Sequence, residues 1–294
     1  NVHEEKFFSH VQPALSHLSL KASYSLTADR GPSYVTNSLA VIKASTPWRP
    51  TSGDTETGLK VSSLENAQLT YEKKHELNLG LDVGFVNNRI NLAFDWYKRN
   101  NFDLIGTVTT QGIGGEISKY GNVAEMKSQG VELSLFTRNI ERKDFKWQTN
   151  FIFAWMDNEV TKLKTMTRMI DYITGTGYSM EGTPRGSLFS LKFKGLNEMG
   201  IPTFLAADGS ITSTNIQFQE TVNMSNLVYE GPVDPTITGS LGNIFKWKGF
   251  TLNVFMTYSF GNVVRLDPIF SNGYSDLTAM PREFANRYLN PGDE

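Results

Sequence analysis

The stretch from Glu76 to Lys98 limits the possible fold more than any other. Leu77, Leu79, Leu81, Val83 and Phe85 alternate with Asn78, Gly80, Asp82 and Gly84. After Asn87-Asn88 the alternation resumes, with Ile90, Leu92, Phe94 and Trp96 against Asn91, Ala93, Asp95 and Tyr97. Period two on both sides of an Asn-Asn pair predicts a β-hairpin. With 39% apolar residues in the chain, nine consecutive matches in the first arm have a chance probability on the order of 10⁻³. Each arm is about ten residues long, the length that crosses a bilayer at a tilt of about 45°. One face is almost purely apolar and the other small, polar or acidic. That division predicts a strand pair with lipid outside and water inside.

The pattern recurs along the chain. Leu18, Leu20, Ala22, Tyr24 and Leu26 alternate with Ser19, Lys21, Ser23 and Ser25. Further strands are predicted over 131–137, 145–155, 238–247 and 250–260, the last with Phe250, Leu252, Val254, Met256, Tyr258 and Phe260 against Thr251, Asn253, Thr257 and Ser259. Short connections fall at Asn87-Asn88, Arg138 to Asp144 and Lys248-Gly249. Long polar ones cover 27–70 (with a local hairpin around 34–42), 99–129, 156–237 and the residues after 260. Short turns at one end and long loops at the other are the asymmetry of an outer-membrane barrel, with the short turns periplasmic. Leu188 to Leu196 also reads as a strand. Counted as a spanning strand it would put the Lys248 turn on the wrong side, whereas pairing it with 201–206 as a hairpin inside the 157–237 excursion restores parity. About seven spanning strands then remain. Single-chain bacterial barrels have an even number, eight or more, and open edges in lipid leave backbone groups unpaired. The fold class is therefore all-β, a transmembrane antiparallel β-barrel of which residues 1–294 supply one part.

Composition narrows the function classes. Charged residues are 20% with a formal net charge of -2, which leaves no nucleic-acid footprint. Aromatics reach 12%, with 19 Phe and 11 Tyr, as barrels with aromatic girdles require. Trp96, Trp155, Tyr258 and Phe260 on one side, with Trp147, Trp247 and Phe250 on the other, fit such girdles. There is no cysteine, hence no disulfide or thiolate site. No run approaches the roughly 18 apolar residues of a membrane helix, and the first residues carry no signal-peptide pattern, so any export signal is expected outside this chain.

Nothing in the sequence supports catalysis or a cofactor. His75-Glu76 lacks a second histidine at metalloprotease spacing, and there is no nucleophile elbow, phosphate-binding loop or Cys/His cluster. His3, His10 and His17 recur every seven residues, but Pro13 interrupts any helix that would align them. Ala207-Asp208-Gly209-Ser210 is a turn signal without the alternating acids of a calcium loop.

The run Gly121-Asn122-Val123-Ala124-Glu125-Met126, followed by Gly130-Val131-Glu132-Leu133, resembles the strand-entry motif of TonB-dependent outer-membrane transporters of the SusC/RagA type from Bacteroidetes. Ala124 stands where that pattern commonly has glycine. Tyr71-Glu72 through Asp82, Phe94 to Lys98 with Asp103-Leu104, Gly186 through Leu196, and Asp234-Pro235 through Asn262 are similar to further parts of the same family. So is the terminal Pro291-Gly292-Asp293-Glu294. In this order they cover most of residues 18–294. The resemblance implies a 22-stranded barrel (from the family) whose plug domain, TonB-contacting segment and closing strands are expected outside these residues. It implies active import of an oligomeric nutrient, a glycan in the first place or an oligopeptide in the second. The implied partners are a SusD-like surface lipoprotein, the TonB-ExbB-ExbD complex and outer-membrane lipid.

Candidate site residues follow from the strand faces. Asp82, Asn91, Asp95, Glu132, Asn150 and Asn253 are predicted to line the lumen, where they meet a plug, a passing substrate or only water. Trp48, Tyr172 and Tyr178 fall in the long connections, where rings stack on a sugar or peptide or pack within the loop. Two other readings stay open: a passive porin, and a soluble β-rich protein that binds ligands on one sheet face.

Overall fold

The computed structural model describes residues 14–31, 40–46, 57–63, 65–110, 112, 117–266 and 282–293. In chain order the strands are β1 (Leu15–Asp29), β2 (Val41–Ser45), β3 (Gly58–Ser63), β4 (Glu72–Phe85), β5 (Ile90–Thr109), β6 (Ser118–Glu141) and β7 (Phe145–Leu163). A helix α1 (Met169–Thr174) precedes β8 (Ser187–Leu191), β9 (Phe193–Leu196), β10 (Pro202–Leu205), β11 (Ile211–Thr212), β12 (Leu227–Pro232), β13 (Ile237–Trp247) and β14 (Phe250–Phe260).

Seven strands form one sheet in the order β1-β4-β5-β6-β7-β13-β14, antiparallel throughout. This meander is the wall of the β-barrel fold. Its register puts like faces together, because residues directly opposite each other in an antiparallel pair point to the same side. Leu79 faces Trp96, Trp96 faces Val131, Val131 faces Trp155, Trp155 faces Ile237 and Ile237 faces Phe260. Next toward the long connections, Leu77 faces Lys98, Lys98 faces Gln129 and Gln129 faces Asp157. The apolar face thus ends sharply above Trp96 and Trp155. At the other end it closes with Trp147 opposite Phe245, stacked at 5.6 Å, and Trp247 opposite Phe250.

The height of this band matches a bilayer. β13 and β14 have 11 residues each. Ten steps of about 3.4 Å make about 34 Å, which a tilt of about 45° projects to about 24 Å, close to the roughly 25 Å apolar band of outer-membrane barrels. The band also slants across the register. Its upper limit is Leu26 on β1, opposite His75, and Leu77 on β4, opposite Lys98. Its lower limit on β4 is Phe85, while β14 continues past Val254, in Phe85's row, to Phe250. Tilted strands crossing a level membrane produce such a slant.

Outward polar groups inside the band satisfy one another. Asn243 Oδ1 accepts from Trp147 Nε1 at 3.0 Å and from Thr149 Oγ1 at 2.8 Å. Asn139 Nδ2 donates to Thr149 Oγ1 at 2.6 Å, and Thr137 Oγ1 donates to Asn139 Oδ1 at 2.8 Å. Lipid offers no partners, so the network has to be internal.

Where sequence and structure differ, the cause is the end of the lipid. Residues 101–129 are expected as a loop, yet β5 runs to Thr109 and β6 starts at Ser118, with Thr109 facing Ser118. At 24 residues, β6 extends about 80 Å, well past any bilayer. Above the band both faces meet water, so alternation fades while the backbone ladder continues. Ion pairs mark the change: Lys127 with Glu159 at 2.8 Å, and Lys162 with Glu125 at 3.0 Å. β7 likewise continues to Leu163. In 27–70 the observed hairpin joins β2 to β3, and most of the expected 34–42 hairpin lies outside the described residues. At the short-turn end, Phe85 faces Ile90, so the loop is 86–89, with Val86, Asn87 and Asn88 all left-handed at φ 51, 54 and 57. Lys248 and Gly249 have φ 46 and 96, the signs of a type I′ turn, which suits the twist of the strands it joins.

Segments 166–179, 185–234, 261–266 and 282–293 form a second compact unit. The stretch 188–196 is divided at Lys192: β8 pairs with β12, and β9 pairs with β10, which pairs with β11. Its core gathers Met169, Leu191 and Ile216, with Phe204 and Leu227 packed against them.

The band predicts a depth-dependent cost. Leu133→Arg, within it, should lower the stability of the full-length barrel in lipid vesicles by about 2–4 kcal/mol, and Gln129→Arg, above it, by less than about 1. Equilibrium unfolding in urea reads both; equal costs would contradict the placement.

Candidate functional site

The polar face of the wall is built by the residues between the lipid-facing ones. Lys21 lies in an ion pair with Asp82. Asp95 sits opposite Gly80, and Glu132 opposite Asp95, placing two carboxylates side by side on neighbouring strands. Like charges in that position repel, so the wall here favours cationic or hydrogen-bond-donating groups. Asn91 Nδ2 donates to the Asn88 carbonyl at 2.8 Å and serves the turn. Asn150 and Asn253 border a niche of about 130 Å³ with Phe136, Gly242, Ile244 and Phe255. All six predicted wall residues lie on the same face by register, spread across it without converging on one point.

Sequence reading missed two features of this face. One is a charge cluster at Glu76, only 9% exposed. Its carboxylate lies 2.8 Å from Lys74 Nζ and 3.1 Å from Arg99 Nε, and accepts from Asn78 Nδ2 at 3.0 Å. The Arg99 guanidinium rests 4.0 Å above the Tyr97 ring. Tyr97 in turn crosses Gly130, where a Cβ would stand 2.6 Å from Tyr97 Cζ and 2.7 Å from the Trp155 carbonyl; only glycine allows that crossing. The other is a group of apolar side chains on the polar face: Ile152 opposite Ser134 and Ser240, with Phe136 and Phe255 beside Gly242. Reading every second residue would have found Phe255 and Ile152, which interrupt the polar series.

The second unit places the predicted aromatics. Tyr172 is 6% exposed, its ring edge-on to Phe189 at 5.1 Å and to Tyr178 at 5.8 Å, with its hydroxyl donating to the Ser179 carbonyl at 3.3 Å. Burial raises its pKa above the usual tyrosine value. It is a packing residue in this unit, while Tyr178, 37% exposed, keeps a reachable ring. Trp48 lies outside the described residues. Among the described residues no group of three or more His, Asp or Glu could hold a metal ion.

Several acids in this unit are tied to the backbone. Arg168 grips Asp171 through two nitrogens, at 2.9 and 2.8 Å, and holds its carboxyl below the ordinary value. Glu220 Oε1 accepts N–H groups from Val222, Asn223 and Thr221, at 2.7, 3.3 and 2.9 Å, and these three donors lower its pKa. Asp208 Oδ1 accepts from the hydroxyl and the N–H of Ser210, at 2.6 and 2.9 Å, with the same effect. The 215–226 segment is anchored on α1, where Met169 N–H donates to the Glu220 carbonyl at 2.8 Å and Ile170 N–H to that of Phe218 at 2.9 Å.

The sign of the Glu220 effect sets a pH window. A carboxyl whose folded value is depressed contributes fully above its unfolded value, and the contribution is lost as pH falls through the folded one. Amide protection at Thr221 to Asn223, corrected for intrinsic exchange, should therefore persist at about pH 5, just above the ordinary glutamate value near 4.3. In Glu220→Ala, which removes the acceptor oxygen, the protection should drop and lose its pH dependence. Unchanged protection in that variant would contradict the anchoring role.

Comparison with known proteins agrees with this geometry. Residues 10–270 match the family model of the TonB dependent receptor-like β-barrel. TonB-dependent receptor P3 of Formosa agariphila is 28% identical over 221 residues, 70% of this chain and 22% of the relative. TonB-dependent receptor SusC of Bacteroides thetaiotaomicron is 31% identical over 165 residues, 55% of this chain and 16% of the relative. Among solved structures, the RagAB peptide transporter superposes with a TM-score of 0.68 at 27% identity, over 89% of this chain and 28% of that one. The chain therefore spans between 16% and 28% of the length of these relatives.

Proposed function

Because the chain belongs to the TonB dependent receptor-like β-barrel family, we propose that it forms part of the wall of an importer that draws an oligomeric nutrient into the cell with energy delivered through TonB. Proteins of this family are outer-membrane transporters, not enzymes, and this chain is a multi-pass part of such a barrel. The observation that carries the reading is the wall itself: a bilayer-high apolar band backed by a face bearing Asp82, Asp95, Glu132 and the Glu76 cluster. A wall of that kind separates lipid from a hydrated lumen.

In this proposal the whole chain belongs to the barrel domain. The turns at 86–89 and Lys248-Gly249 face the periplasm, and the long connections face outside. The 157–237 excursion, with the β9–β10 hairpin, is then extracellular. The wall polar groups Asp82, Asn91, Asp95, Glu132, Asn150 and Asn253 hydrate the lumen and meet the plug or the cargo. A SusD-like surface lipoprotein and the TonB-ExbB-ExbD complex are the proposed partners, and 22 strands the size of the closed barrel.

Oligosaccharide is the proposed cargo. Oligopeptide is the second reading, favoured by the likeness to the RagAB peptide transporter at a TM-score of 0.68.

Uptake of labelled oligosaccharides and oligopeptides by cells with and without ExbB tests both the energy source and the cargo. Import should vanish without ExbB and return when the gene is resupplied. Import that is indifferent to ExbB would instead mark a passive pore.

A further inference from the structure

The second unit contains a cup. Its volume is about 200 Å³, and Met169 and Ala206, 2% and 8% exposed, form part of its lining as an apolar floor. The rim is polar: Asp208, Asn215, Gln217, Glu220, Asn223 and Asn226. Among the described residues no lysine, arginine or histidine lines it.

Three rim groups are locked in place by one atom and left free at another. Asp208 and Glu220 each spend a single oxygen on the hydrogen bonds with Ser210 and with the Thr221 to Asn223 amides. Asn223 Oδ1 accepts from the hydroxyl and the N–H of Ser225, at 2.7 and 3.2 Å, which fixes the side chain and leaves Nδ2 without a partner among the described residues. The side chains of Asn215 and Gln217 likewise make no hydrogen bond there. Asn226 Oδ1, in the same wall, is shielded from solvent and no donor reaches it, which a packed fold rarely tolerates without a reason. Fixed polar heads over an apolar floor are the composition of a preorganised ligand site.

The chemistry selects the ligand. The free groups comprise carboxylate acceptors and amides that both donate and accept, and sugar hydroxyls do both as well. The floor suits the C–H face of a sugar ring. A uronate, a sulfate or a peptide C-terminus would meet Asp208 and Glu220 with no cation in the lining to offset them. The volume, below the roughly 300–1,000 Å³ of sites for drug-sized ligands, takes one unit of a chain and not an extended segment.

From this juxtaposition we propose that the Met169–Ala206 floor and the rim of Gln217, Asn223 and their neighbours bind one neutral sugar unit of the oligosaccharide cargo. The proposal rests on the importer reading above and adds a subsite and a charge preference to it.

The test is isothermal titration of the detergent-solubilised full-length receptor with neutral hexasaccharides of glucose, mannose, galactose and xylose, a polyuronate hexasaccharide and neutral hexapeptides. At least one neutral hexasaccharide should bind, and the polyuronate should not. Asn223→Asp, which keeps the acceptor for Ser225 and removes the Nδ2 donor, should weaken that binding about tenfold, the loss expected for one ligand hydrogen bond. Gln217→Ala, at an exposed position, should weaken it as well while leaving the melting temperature unchanged. Unaltered affinity in both variants, equal binding of the polyuronate, or binding of the peptides in place of the sugars would overturn the proposal. ExbB-dependent uptake, measured on the same variants, distinguishes the two failures: a wrong subsite leaves glycan import intact, whereas a wrong importer reading shows no such import in the wild type.

Discussion

In lipid, every backbone N–H and C=O must find a partner within the protein, and this requirement shapes the whole wall. Strands meet it only by pairing on both edges. Among the described residues, β4, β5, β6, β7 and β13 are paired on both sides, whereas β1 pairs only with β4 and β14 only with β13. In a barrel wall the apolar side chains pack against lipid, where a globular protein would pack them against a second layer. Leu252, Val254 and Met256 on β14 are accordingly exposed.

The same constraint explains the chemistry of both faces. Toward lipid, Thr137, Asn139, Trp147, Thr149 and Asn243 close their hydrogen bonds on one another. Toward water, charges are tolerated, and Glu76 gathers Lys74, Arg99 and Asn78 about it. Where the strands rise past Trp96 and Trp155, lysines and glutamates replace the apolar residues on the outer face, as in the Lys127–Glu159 and Lys162–Glu125 pairs. The apolar band is therefore set by solvent, and the ladder above it by pairing alone.

That difference decides what could be read in advance. The hairpins at 76–98 and 237–260 were legible because lipid on one side and water on the other impose a strict period of two. The strand halves at 101–109 and 118–130 were not, because water on both sides removes the contrast while hydrogen bonding continues. The split at Lys192, which sends β8 to β12 and β9 to β10, depends on partners distant in sequence. The wall residues Asp82, Asp95 and Glu132 could be assigned to a face from parity, but Phe255 and Ile152 break the polar series there and escaped notice. Tyr172 looked like a loop aromatic and is packed among Phe189 and Tyr178. The cup was invisible for a similar reason: Met169, Ala206 and Asn223 come together only once the second unit folds.

The central claim is that one face of these strands meets lipid and the other meets water. The 294 residues contain no cysteine, so single cysteines from Val131 to Phe136 on β6 can carry nitroxide labels one at a time. In vesicles of outer-membrane lipid, electron paramagnetic resonance should show high oxygen accessibility at Val131, Leu133 and Leu135. A water-soluble nickel chelate should show the opposite preference, for Glu132 and Ser134. Accessibility without a period of two along this stretch would contradict the account.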